Sequence, residues 1–213
     1  MKTPSTSRFL ELALEYEALR FGRFELKSGR ISPYFFNAGR FCDGAGLDRL
    51  ASCYAEAIVA SGIEFDLLYG PAYKGIPLAA AIALRLQTDF GRNLPFAFNR
   101  KESKDHGEGG RIVGASLRGR VLIVDDVISA GTSIRESREL IELHGARTAG
   151  VAIALDRQEC GVDDRSAVEE VRDSGVEVIS VATLNDLVDW LHDNEIAGAD
   201  KSAMLNYRNQ FGV

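Results

Sequence analysis

The chain has 213 residues, 46% of them hydrophobic and 26% charged, with a formal net charge of −6 at pH 7. That is enough for one α/β core with a small lobe attached, and the acidic balance argues against sequence-wide binding of DNA or RNA. Cys42, Cys53 and Cys160 form no Cys-x-x-Cys pair and are odd in number. This disfavours a disulfide framework or a zinc site and suits a reducing cytosol, so the cysteines read as small hydrophobes and a cytoplasmic location is expected. The N-terminal segment lacks a long apolar run and no stretch reaches membrane-spanning length, so neither a signal peptide nor a transmembrane helix is expected.

Along the chain, Phe9, Leu12, Ala13, Tyr16 and Leu19 recur at helical spacing and predict a helix over 8–22, with Gly22 as its stop. Alternation at 24–27, a Ser28-Gly29 turn and the run Ile31–Phe36 predict a hairpin or hood. A second helix follows over 46–61, ending at Gly62. Strands are then expected at 65–69, 94–99, 121–126, 149–155 and 176–182. Helices are expected at 76–86, 134–144 (closed by Gly145), 163–174 and 184–193, and a short terminal helix within 196–213. The strands are continuous apolar runs, as in a parallel sheet covered by helices on both faces. Ligands of such sheets bind at the carboxyl ends of the strands, which directs attention to 70–75, 99–111 and 125–133.

The segment VLIVDDVISAGTSI at 121–134 delivers two adjacent carboxylates, Asp125 and Asp126, at a strand end. Six residues of loop then lead into a helix, and Ser133 and Glu136 stand at capping-box spacing. Small residues at a helix N-terminus present backbone N–H groups to an anion, Gly131 permits close approach, and Ser129, Thr132 and Ser133 add hydroxyls. The carboxylates can accept hydrogen bonds from sugar hydroxyls or reach a magnesium ion through water. Each feature alone fits an exposed acidic strand end before an ordinary capped helix. Together they point to a sugar phosphate.

Gly70-Pro71-Ala72-Tyr73-Lys74-Gly75 is a tight strand-to-helix turn with one cation, readable as an anion loop or as a plain turn with a surface lysine. The stretch Asn99–Arg111 holds four basic residues, one histidine and three glycines. It is read as an irregular loop, either a solvated charged segment or a lid that is mobile when empty.

The strand–acid pair–Gly-Thr loop at 121–134 resembles the fingerprint that type I phosphoribosyltransferases use for 5-phosphoribosyl-1-pyrophosphate (PRPP). The string RKESKDHGEGG at 100–110, the stretch FELKSGRISPYFFNAG at 24–39 and Asp156-Arg157-Gln158-Glu159 resemble the catalytic loop, the hood and the second base-contact motif of the orotate phosphoribosyltransferases. The resemblance spans most of 8–195. It implies an α/β type I phosphoribosyltransferase fold, with a mostly parallel central sheet flanked by helices and a small N-terminal hood lobe. It also implies a single domain over 1–213, with hood elements about 1–40, a core about 46–195 and a catalytic flap about 100–114.

The activity implied is transfer of ribose 5-phosphate from PRPP to orotate, dependent on Mg²⁺, giving orotidine 5′-monophosphate and pyrophosphate for pyrimidine synthesis. PRPP would be held by Tyr73, Lys74, Arg100, Lys101, Lys104 and His106, and by the loop residues Asp125, Asp126, Val127, Ile128, Ser129, Ala130, Gly131, Thr132 and Ser133. Of these, Lys101, Lys104, His106, Asp125 and Asp126 would serve catalysis. Orotate would meet Lys27, Phe35, Phe36, Ser129 and Arg157; a guanidinium suits its carboxylate, while the two phenylalanines can equally pack into the lobe's own core. The family commonly has Thr where this chain has Ser129, which keeps the hydroxyl. No protein side chain would ligate Mg²⁺ directly; the ion would sit near Asp125 and Asp126 through PRPP and water. The resemblance further implies a cis non-proline peptide near Ala72–Lys74 and a homodimer whose flap reaches the partner's site, with no membrane or nucleic-acid partner.

Lys27, Phe35, Phe36 and Arg157 argue against a purine-salvage relative with the same phosphate loop. The acidic balance argues against a PRPP-sensing regulator, and the lack of Gly-x-Gly-x-x-Gly or Walker A spacing against a dinucleotide or P-loop protein.

Overall fold

A computed structural model describes residues 4–26, 28–104, 110–128, 131–161 and 165–213; the side chains of Pro4, Ser103 and Lys104 lie outside the description. Helix α1 (Pro4–Glu15) leads into an antiparallel hairpin, β1 (Leu19–Glu25) with β2 (Ile31–Phe36). Helix α2 (Gly44–Ser61) follows, capped by Asp43, whose carboxylate accepts from Gly46 N, and closed by Gly62 at φ +73°. Strand β3 (Leu67–Gly70), helix α3 (Gly75–Phe90) and strands β4 (Phe96–Lys104), β5 (Gly110–Gly114) and β6 (Arg120–Asp125) come next. The chain then runs through α4 (Thr132–Leu143), β7 (Arg147–Asp156), α5 (Ala167–Asp173), β8 (Glu177–Thr183), α6 (Leu184–Asp193) and α7 (Lys201–Phe211).

The central sheet has the order β5-β4-β3-β6-β7-β8 and is parallel except for the antiparallel pair β4–β5. This is the mostly parallel, helix-flanked sheet expected from the apolar runs. Alternate residues of the strands face opposite layers. Leu68, Leu122, Val124, Ala152 and Ala154 join one buried cluster with α1, α2, α3, α6 and α7. Leu67, Tyr69, Val121, Ile123, Val151 and Ile153 join another with α4 and α5. The inward side chains of the hairpin, Leu19, Tyr34 and Phe36, belong to the first cluster.

Several boundaries differ from the sequence reading. The first helix ends at Glu15, and Glu17 takes φ +52°. Leu19 is therefore a strand residue, and Gly22 (φ +147°) lies inside β1, where the register shifts between Phe21 and Phe24. Leu19 continues the apolar spacing of the helix and also begins the alternation of the strand, so periodicity alone misassigns it. Residues 100–104 and 110–114 are arms of a β-hairpin, not irregular loop, because β4 continues past its pairing with β3 and turns back along β5. Helix α4 starts at Thr132 with Gly131 (φ +66°) as N-cap and no side-chain cap. The Ser133–Glu136 capping box does not form, since Ser133 already lies in the helix; a box forms instead at α5, between Ser166 and Glu169. The peptide Ala72–Tyr73 is cis, within the stretch expected.

Two glycines allow β3 to turn directly into α3. A Cβ on Gly70 would lie 2.0 Å from the Gly75 carbonyl oxygen, and one on Gly75 would lie 2.8 Å from that of Val124. These are backbone atoms that cannot step aside as a side-chain tip can. Gly70→Ala is therefore expected to destabilise the fold by about 3 kcal/mol, the upper part of the usual overpacking range. Urea denaturation checks this, with a lowered midpoint at unchanged m-value as the expected result.

Candidate active site

Strand β6 ends between β3 and β7, so Asp125 and Asp126 emerge at the middle of the sheet. Their backbone is held from both sides. The hydroxyl of Tyr54, a fully buried residue of α2, donates to the Asp125 carbonyl at 2.7 Å, and Ala154 N donates to that of Asp126 at 2.9 Å. Burial pushes the Tyr54 phenol well above its usual range, with the two nearby aspartates adding to the effect, so it remains a donor.

The two carboxylates have different partners. Asp126 is 6% exposed and pairs with the Lys74 ammonium at 2.5 Å. Lys74 comes from the β3–α3 turn, and Ala72 N in that turn donates to Asn99 Oδ1 at 2.8 Å. One ion pair thus ties the turn at 70–75 to the acid pair, and Asn99 ties it to the base of the β4–β5 hairpin. Asp125 accepts from Asp126 N at 2.9 Å and from the Ser133 hydroxyl at 3.3 Å. Its pKa is nevertheless pushed up to about 6, chiefly by burial, with the Asp126 charge adding and the two hydrogen bonds opposing.

After the acids the chain dips inward at Ile128, 8% exposed, and resumes at Gly131 in the left-handed region. Thr132 and Ser133 open α4 on the exposed side. The first N–H groups of an uncapped helix carry partial positive charge and suit a phosphate. On the hairpin side, Tyr73 is 66% exposed and Lys101 Nζ lies 4.8 Å from the centre of its ring, within cation–π range. Arg100 is half-buried on the same strand.

Around Arg157 a second group assembles. Arg157 Nε and Nη2 donate to Glu159 Oε1 at 3.0 and 2.5 Å, and the guanidinium lies over the Tyr34 ring at 4.8 Å. The phenylalanine pair is split by strand alternation. The Phe36 side chain is buried against Phe9, with ring centroids 5.9 Å apart. Phe35 faces the other way, packed on Phe24 with the Arg20 guanidinium 5.7 Å from its ring centroid. Any contact Phe36 makes with a ligand must therefore use its backbone. Lys27, His106, Ser129 and Ala130, all expected at the site, lie outside the described residues, as does the Lys104 side chain.

Sequence reasoning passed over Tyr54, Tyr34 and Tyr207 and gave no separate role to Asn99 or Glu159. Glu159 stands two residues after Arg157 in the quoted motif, which was a usable signal. The tyrosines sit in apolar helical or strand patterns and carry no local mark. Among the described residues no group of three or more His, Cys, Asp or Glu side chains converges as a metal site, and no helix is long and apolar enough to cross a membrane.

A strand-end acid pair, a helix start with no side-chain cap and a cationic turn joined to the acids by an ion pair form an arrangement whose chemistry suits a phosphorylated sugar. Comparison with known proteins narrows this. Residues 44–186 match the phosphoribosyl transferase domain family. The chain is 58% identical over 208 residues to the orotate phosphoribosyltransferase of Thiobacillus denitrificans, covering 97% of this chain and 98% of that one. It is 56% identical over 211 residues to that of Salmonella newport, covering 99% of each. The crystal structure of an orotate phosphoribosyltransferase from Francisella tularensis superposes with a TM-score of 0.86 at 41% identity, covering 96% of this chain and 99% of that one. The chain belongs to the orotate phosphoribosyltransferases, within the phosphoribosyl transferase domain family.

The raised Asp125 pKa has a consequence for stability. An acid whose pKa is higher folded than unfolded favours folding in its neutral form. Stability held below about pH 4 is therefore lost as pH rises to about 6. In magnesium-free buffer, Asp125→Asn is expected to melt at a higher temperature than the parent at pH 7.5, by the equivalent of about 1–2 kcal/mol. At pH 4 the two should melt alike. Thermal denaturation at both pH values checks this; an equal gain at both would assign the effect to packing rather than charge.

Proposed function

We propose that the protein transfers the ribose 5-phosphate group of PRPP to N1 of orotate, giving orotidine 5′-monophosphate and pyrophosphate in pyrimidine synthesis. The observation that carries this reading is the Lys74–Asp126 ion pair, which joins a pyrophosphate-type turn to a ribose-type acid pair at one strand end. It is supported by the names of the relatives, orotate phosphoribosyltransferases matched over nearly their whole length.

In this reading the loop from Val127 to Ser133 anchors the 5′-phosphate, its backbone N–H groups and hydroxyls donating to the phosphate oxygens. Asp125 and Asp126 accept from the ribose hydroxyls and fix the sugar for attack on its far side. Orotate N1 forms the new bond to C1′ as the bond to pyrophosphate breaks, its N1 proton passing to the departing pyrophosphate or to solvent, with inversion at C1′ and charge building on the sugar as in other glycosyl transfers. No protein nucleophile is required. Tyr73, Lys74, Arg100, Lys101, Lys104 and His106 receive the departing pyrophosphate, whose growing charge their cations stabilise. Closure of the flap expected at about 100–114 keeps water from the activated sugar.

The acid pair also fits Mg²⁺. Hard carboxylate oxygens suit this ion, and the upward shift of Asp125 marks a place where positive charge is in demand. Asp125 and Asp126 would hold the ion through PRPP and water, and when bound it supplies charge that offsets the pyrophosphate. On the other side of the sugar, the Arg157 guanidinium forks the orotate carboxylate. Phe35, the Phe36 backbone, Lys27 and Ser129 complete the base pocket. We further infer a single-domain, cytoplasmic enzyme that works as a homodimer, each flap serving its partner's site.

The test is ultraviolet loss of orotate with PRPP, with and without Mg²⁺, beside adenine, guanine, hypoxanthine and uracil. Mg²⁺-dependent consumption of orotate alone is expected; turnover of another base would discard the base-pocket assignment and keep the phosphate site. Lys104→Ala is expected to lower kcat about a hundredfold or more, as for loss of a donor to developing charge, while PRPP binding by calorimetry changes far less. Mixing it with Asp126→Asn chains should restore activity through hybrid dimers; no recovery after verified subunit exchange would count against a shared flap.

A further inference from the structure

The C-terminal segment ends on the loop that carries Arg157. Cys160 N donates to the Phe211 carbonyl at 2.7 Å and Val213 N to that of Gln158 at 3.0 Å, and Glu159 and Gly212 form an antiparallel bridge. Arg30, from the turn of the hood hairpin, donates to the Cys160 carbonyl at 2.7 Å and lies 4.9 Å from the centre of the Phe211 ring. Hood, loop and terminal helix thus meet at one place.

The focus of that meeting is a single oxygen. Glu159 Oε1 accepts from Arg157 Nε and Nη2, from the Tyr207 hydroxyl at 2.9 Å and from the Tyr34 hydroxyl at 3.4 Å. The Tyr207 ring packs edge-on to that of Tyr34, with centroids 6.2 Å apart, and Tyr34 in turn underlies the guanidinium. The Arg157 and Glu159 side chains are 17% and 16% exposed, so neither is a loosely solvated surface group. Glu159 occupies one edge of the guanidinium and Tyr34 one face. What remains for a ligand is the Nη1 side, which accounts for none of the Arg157 hydrogen bonds among the described residues.

We propose that Tyr207, acting through Glu159, is a positioning residue for Arg157 and so sets how tightly the acceptor base is held. The inference rests on Arg157 touching orotate, as proposed above. Tyr207 and Tyr34 fix the Glu159 carboxylate, and Glu159 fixes the plane and rotamer of the guanidinium before the base arrives. A fork contact to a carboxylate requires that plane to be set, and a pre-set side chain loses less rotamer freedom on binding. The terminal helix, distant in sequence from every motif of the site, thereby becomes part of base recognition.

Tyr207→Phe keeps the ring packing on Tyr34 and Phe211 and removes only the hydroxyl. It is expected to raise KM for orotate about fivefold, the scale of one lost hydrogen bond to a charged group, while kcat and KM for PRPP stay within about twofold. In an Arg157→Gln background the same substitution should add nothing, since the residue it acts through is gone. Thermal melting of each variant verifies the fold. A rise in KM for both substrates together, or a full fivefold effect persisting in the Arg157→Gln background, would make Tyr207 a structural residue and overturn the inference. If Arg157→Gln raises KM for orotate and Tyr207→Phe does not, the inference falls and the base contact stands. If Arg157→Gln itself leaves KM for orotate unchanged, the base contact falls and takes the inference with it.

Discussion

Two carboxylates on successive residues, at the end of a central strand between its neighbours, are the costly feature that the rest of the molecule is arranged to hold. Neither acid can relax into solvent without moving β6, because Tyr54 and Ala154 fix the backbone oxygens of both. Lys74 neutralises the more buried one. The tight β3–α3 turn serves this pairing. A lysine brought in by a looser loop would not be held against Asp126, and the glycines at 70 and 75 let the turn press onto β6. Among the described residues the Asp125 carboxyl has no cationic partner of its own, and it keeps a raised pKa, a common mark of a functional position.

Around this centre the two halves of the proposed ligand site are supported by different parts of the chain. The proposed phosphate side uses the ends of β3, β4 and β6 and the start of α4, where a parallel sheet gathers loops into one crevice. The proposed base side uses the hood, the end of β7 and the terminal helix, joined through Tyr34, Glu159 and Tyr207. These are separate networks among the described residues.

How much of this the sequence revealed depended on how local each feature was. The acid pair, its following loop and the cationic turn lie within short, continuous segments, and their chemistry could be read from residue types and order alone. Strands buried on both faces were equally plain, because VLIV (121–124) and AGVAIAL (149–155) contain no polar side chain. The hairpin of β4 and β5 was not legible, since Arg100–Lys104 has the composition of a solvated loop and only its continuation from the apolar Phe96–Phe98 run makes it a strand. The start of α4 was misread by a residue or two because Ser133 had two available tasks, capping a helix or bonding Asp125, and composition does not choose between them. Phe35 and Phe36 were read together although alternation sends them to opposite faces. Tyr207 stands 48 residues beyond Glu159, and only the folded chain brings a terminal helix back to that loop.

The sheet has two lateral margins, and their treatment bears on how the protein behaves when crowded. An open strand margin is a template for another chain. At β8 the margin is covered by α1, where the Thr6 hydroxyl donates to the Val181 carbonyl at 3.1 Å. At β5 the strand is five residues long, carries exposed Arg111 and ends at Gly114, which takes φ +93°. Among the described residues neither margin presents a long, flat, apolar ladder. Both margins therefore carry features that disfavour strand-to-strand polymerisation as the protein is concentrated.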